Sequence, residues 1–84
     1  MSTVTIARII ELLDGDRELL QALAEHGIIS ESAHEFGPDE VETVLVSRTL
    51  VREMGINWEG VDVILRMRRQ LLITRLRLAE LSKK

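Results

Sequence analysis

The chain has 84 residues, 14 acids against 11 bases, no cysteine, and only Trp58 and Phe36 as aromatic side chains. A chain this short buries a smaller fraction of its surface than a larger one. Without cysteine, neither a disulfide framework nor a thiolate metal site makes up the deficit, so association is the expected remedy. No apolar run reaches the length of a membrane span, and the N-terminus lacks the basic-then-apolar layout of a signal peptide; a cytoplasmic location is expected.

Charge is unevenly spread. Residues 1–44 hold ten acids against Arg8 and Arg17, a net of −8, and residues 45–84 hold nine bases against four acids, a net of +5. An acidic face and a basic face follow, and two copies dock more readily head to opposite end than in parallel.

In chain order, Thr5 is placed to cap a short helix running to about Leu13, whose Ile6, Ile9, Ile10 and Leu13 recur on one face. Asp14-Gly15-Asp16 is a tight turn, and Asp16 has the chemistry of a cap for a second helix reaching about His26. Leu19, Leu20, Leu23 and Ala24 face inward there, and Gly27 ends the helix. Two short helices joined so briefly form a helix-turn-helix. Ser30 to Glu35 is polar between Ile28-Ile29 and Phe36 and reads as a small hairpin or loop, a wing.

Pro38 and Glu40 start a third helix, reaching Met54. It is apolar nearly all round, with only Glu42, Thr49 and Glu53 as a clear polar stripe, so two surfaces are needed to cover it. The chain then turns at Gly55-Ile56-Asn57-Trp58-Glu59-Gly60-Val61. Gly55 takes the left-handed closing position, Asn57 caps the next helix, Ile56 and Val61 occupy the two places of a hydrophobic staple, and Trp58 wedges into the corner.

The last helix runs from Trp58 to about Leu81 with two seams. Val61, Leu65, Leu72, Leu76 and Ala79 make one, which packs on the chain's own core at its N-terminal end. Ile64, Met67, Leu71, Thr74, Leu78 and Leu81 make the other, in the alternating steps of a coiled coil. The helix is about 36 Å long at ~1.5 Å per residue, whereas a compact domain of this size is about 30 Å across, from a radius of gyration of roughly 12 Å. Its last turns overhang. Residues 1–57 thus form a body and 58–84 an arm of one domain, and an obligate homodimer through the third and fourth helices is expected. Arg68, Arg75 and Arg77 flank the second seam with no acid beside them, which favours antiparallel pairing.

This order resembles the MerR-like winged helix-turn-helix fold: mainly α, with a long C-terminal dimerisation helix and at most a short β-hairpin wing. Within it the chain is most similar to the bacterial chaperone-modulator (CbpM-like) family. The resemblance rests on Thr3-Val4-Thr5-Ile6, Gly27-Ile28-Ile29, Phe36, and the run from Arg52 to Val61, of which the Asn-Trp-x-Gly corner is the most specific part. It implies a non-enzymatic dimer that binds the J-domain of a DnaJ-like co-chaperone and restrains its work with DnaK.

DNA-binding relatives carry a basic second helix; here Arg17 stands against Asp16, Glu18 and Glu25, which repels phosphate, and only Gln21 could touch a base. A MerR-like transcription factor reading DNA through this helix and the wing is therefore the alternative. J-domains of the family present a cationic helix to DnaK, and Glu11, Asp14, Asp16, Glu18 and Glu25 are the expected face for it. These acids also read as an ordinary solvated face, with Asp16 and Glu18 favourable at a helix N-terminus. His26 and His34 lack metal-ligand spacing and are assigned to the surface. No nucleophile with its base, phosphate-binding loop or acid pair in a pocket is evident, so no enzyme activity, metal or cofactor is expected.

Overall fold

The computed structural model describes residues 2–30 and 32–83, and over these the chain is mainly helical. A two-residue strand β1 (Val4–Thr5) leads into α1 (Ile6–Leu12), a turn leads into α2 (Arg17–Glu25), and strand β2 (Glu35–Phe36) precedes α3 (Pro38–Arg48). The helix continues as a π-helical segment, Thr49–Glu53, and after a corner α4 runs over Trp58–Ser82.

The caps are local chemistry. Thr5 Oγ1 accepts from the Arg8 amide at 3.4 Å, Asp16 Oδ1 from the Leu19 amide at 3.1 Å, and Asn57 Oδ1 from the Gly60 amide at 2.8 Å. Each satisfies one of the donors that a helix start leaves unpaired. Gly37 caps α3 without a side chain, and its amide donates to Glu40 Oε1 at 3.2 Å. At the other end of α2, Ile28 N donates to Leu23 O at 2.9 Å and Gly27 N to Ala24 O at 3.0 Å, the paired bonds of a Schellman close.

Two elements differ from the sequence reading. Of the expected hairpin or loop at Ser30–Glu35, in which Glu31 lies outside the described residues, the described residues show no hairpin. Glu35–Phe36 pairs instead with the N-terminal strand, antiparallel, with Val4 opposite Phe36 and Thr5 opposite Glu35. Thr3 Oγ1 continues the pairing by donating to Glu35 Oε1 at 3.0 Å. This pairing pins Phe36 into the core, where a strand of two residues could not hold alone. The second difference is the π-helical end of the third helix, where Met54 N donates to Thr49 O, five residues back, at 3.0 Å. Thr43, Ser47 and Thr49 each donate a hydroxyl to the carbonyl four residues earlier, at 2.9, 2.7 and 3.3 Å. Such back-bonding competes with the α-helical ladder and loosens it just where the wider turn begins.

Ile9 and Leu13 of α1, Leu19 and Leu23 of α2, Ile29, Phe36 and Val44 make one buried cluster. Leu50 and Val61 are also buried, so the inner seam of α4 does enter the core at its first turn; Leu65 on the same seam is half-buried. At the corner, Gly55 is left-handed at φ 66. Gly60 is required for space, since a Cβ there would lie 2.7 Å from Ile56 Cγ2. The expected staple partner Ile56 thus presses on the first turn of α4.

The molecule extends 47 × 31 × 20 Å with a radius of gyration of 14.5 Å, above the ~12 Å of a compact chain of this length. The excess is α4. Every residue from 66 to 83 is exposed.

Candidate interaction surfaces

The five acids expected to face a partner fall into two groups. Asp14 and Asp16 are engaged within the chain. Arg48 reaches Asp14 at 2.6 Å, and Arg52 grips both oxygens of Asp16, Nε to Oδ2 at 2.8 Å and a terminal nitrogen to Oδ1 at 3.1 Å. The Arg52 guanidinium, with the Leu19 amide second, holds the Asp16 carboxyl below the usual carboxylate range, and the same contact raises Arg52. These two acids lock the α1–α2 turn to the third helix.

Glu11, Glu18 and Glu25 remain on the outer surface. Glu11 pairs with Arg8 at 3.0 Å, both side chains largely in water. Glu25 accepts only from Gln21 Nε2, at 3.1 Å, and Glu18 forms no ion pair or side-chain hydrogen bond among the described residues. With Arg17 and Gln21 they make the exposed face of α2.

The second surface is α4. Of the outer seam, Ile64 is half-buried, while Met67, Leu71, Thr74, Leu78 and Leu81 are exposed, Met67 at 62% and Leu81 at 65%. The inner seam is exposed from Leu72 onward as well. Apolar groups therefore line two sides of the arm, and two arginines at its base are paired: Arg68 with Glu42 of α3 and Arg66 with Asp62, each at 2.7 Å. Between the arm and the ends of α2 and α3 lies an open elbow of about 720 Å³, lined by apolar residues such as Ile28, Leu65 and Leu72 and by charged ones such as Glu42, Arg69 and Arg75.

Sequence reasoning assigned His26 to the surface without a role. Its ring stacks on Trp58, with centroids 4.6 Å apart and planes 17° from parallel. One residue closes α2 and the other opens α4, so the stack joins two helix ends that the chain separates by 32 positions. The signal was the aromatic pair at two predicted helix boundaries, which says nothing of proximity.

Among the described residues, no group of three or more His, Asp and Glu side chains is placed to hold a metal ion, and no helix is long and apolar enough to cross a membrane. Asp16 and Arg52, whose mutual contact lowers the one and raises the other, serve the fold. The arrangement presents surfaces for binding. The chain matches no protein-family model, no curated protein and no solved structure.

Proposed function

We propose that this chain is a small regulatory binding protein without enzyme activity, a MerR-like winged helix-turn-helix protein similar to the bacterial chaperone modulators. It pairs with a second copy through α4, antiparallel, and binds the J-domain of a DnaJ-like co-chaperone, restraining its action with DnaK.

The observation that carries this reading is the bare arm. Eighteen successive exposed residues, 66–83, carry Met67, Leu71, Leu72, Ile73, Leu76, Leu78 and Leu81, and a soluble monomer rarely leaves so continuous an apolar surface uncovered. Pairing by α4 leaves the α1–α2 side free. There Glu18 and Glu25 form no ion pair among the described residues, which fits a cationic protein helix and opposes a phosphate backbone. The J-domain itself comes from the resemblance at the Arg52–Val61 corner and the N-terminal Thr3–Ile6 stretch.

The test is a DnaK ATPase assay with the cell's own J-domain co-chaperones. Added protein is expected to suppress the co-chaperone's stimulation in proportion to the complex formed. Unchanged stimulation, together with tight and steeply salt-dependent binding to random duplex DNA, would replace this reading by a transcription factor.

A further inference from the structure

The inner seam of α4 runs out of the elbow. Leu65 and Leu72 line that space, Leu76 and Ala79 continue the same line beyond it, and Leu72 and Leu76 are 57% and 58% exposed. Positions 65, 69, 72, 76, 79 and 83 recur in alternating steps of four and three, so Arg69 and Lys83 fall on the seam itself. Arg69 and Glu80 are about three turns apart and therefore share one flank of it. The outer seam is the more apolar repeat, but from Ile64 onward no carboxylate flanks it. Only the inner seam carries both signs of charge.

We infer that two copies pair antiparallel through the inner seam, each laying the end of its arm in the other's elbow. This rests on the self-pairing proposed above and names its seam and register. With Leu72 of one copy against Leu76 of the other, Arg69 falls opposite Ala79, a side chain small enough to let the guanidinium reach Glu80 beside it. Leu65 falls opposite Lys83, whose ammonium comes within reach of Asp62, one turn earlier on the elbow wall. Twofold symmetry makes each contact twice. Arg68 and Arg75 lie on the other flank, where Glu42 and Asp39 of α3 share the elbow with them.

Charge selects this occupant. Residues 66–83 hold six cations with Glu80 as their single carboxylate, so a cationic J-domain helix is repelled along the arm. A parallel pair would set Arg69 against Arg69 and Glu80 against Glu80. In the antiparallel pair the one carboxylate of each arm meets a cation of the other, and the overhanging tip gains a body to lie against.

Sedimentation equilibrium of the full chain at low salt is the test. Arg69→Glu and Glu80→Arg are each expected to weaken the dimer about tenfold, since each turns two attractions into repulsions. Both changes in one chain should restore wild-type association, and an equimolar mixture of the two single variants should form the mixed dimer. Leu76→Gln should dissociate the pair, whereas Leu78→Gln, on the outer seam, should leave it. Single variants that dimerise like wild type, or an exchange that restores nothing, would overturn the inner-seam pairing while sparing self-association. Dissociation by Leu78→Gln and not by Leu76→Gln would do the same and move the contact to the outer seam. A wild-type chain that stays monomeric at micromolar concentration would overturn self-association, and this inference with it.

Discussion

Arg52 holds both oxygens of Asp16, at 2.8 and 3.1 Å, while one of those oxygens also caps α2 through the Leu19 amide. One carboxylate thus starts a helix and fastens it to the third helix. Replacing Asp16 by alanine removes both roles and is expected to cost about 1–2 kcal/mol, mostly the cap. Asp16→Asn keeps a capping oxygen and loses the charge pair, so it should cost less. Urea unfolding of the two variants separates the contributions.

The same pair sets a pH dependence. The carboxyl of Asp16 is lowered in the folded chain from 3.8, so folded protein holds the ionised form more firmly than unfolded chain does. Its contribution is complete above the ordinary carboxylate range and is lost as pH falls through the lowered folded value. The stability gap between wild type and Asp16→Asn should be constant near neutrality and close in acid. A gap that widened in acid would contradict the assignment.

Gly60 sits in the first turn of α4, where alanine has the better helix propensity, by up to ~1 kcal/mol. A Cβ there would meet Ile56 Cγ2 at 2.7 Å and Asn57 Oδ1 at 3.2 Å. The Ile56 branch point is stiff and the Asn57 oxygen is the helix cap, so neither yields easily. Crowding should win, and Gly60→Ala is expected to destabilise by about 1–2 kcal/mol. Adding Ile56→Ala should make the Gly60→Ala step milder, which a thermal double-mutant cycle would read.

Trp58 is the chain's single tryptophan, so its emission reports the stack with His26 directly. His26→Ala should shift that emission to longer wavelength as water replaces the imidazole. Loss of a stacked pair is also worth about 0.5–1.5 kcal/mol. An unchanged spectrum would mean the rings do not stack in solution.

For the partner surface, Glu18→Lys with Glu25→Lys is the informative change. Including Asp16 in such a charge reversal would break the clamp to Arg52 and confuse folding with recognition. The double variant should keep its unfolding midpoint, bind a J-domain more weakly, and lose most of the salt dependence of binding. Binding unaffected by the reversal would exclude this face.

What could be foreseen in the sequence was what neighbours decide. Thr5, Asp16, Asn57 and Gly55 act within a turn of their own position, and all four stand where the spacing put them. Ile9 and Leu13 of α1, Leu19 and Leu23 of α2, and Val61 follow the same logic and are buried, whereas Ile6, read on the same apolar face as Ile9, is exposed. Contacts between distant residues left no such trace. The Val4–Phe36 pairing joins two-residue strands, too short for a periodic signal. Arg48 and Arg52 read as part of a basic half, and nothing local ties them to Asp14 and Asp16. For that reason the pairing of two of the five candidate acids, Asp14 and Asp16, with arginines of the third helix was not foreseen.

Beyond the Arg68–Glu42 contact at its base, the outer part of α4 takes little support from the body, since residues 66–83 are exposed. A helix of such length is marginal in water when it stands alone. Its turns should unravel on dilution and wind up again when copies meet, so that assembly and local folding form one equilibrium. Circular dichroism of this protein would then depend on how much of it is in the tube, and amide exchange in the arm would slow as concentration rises.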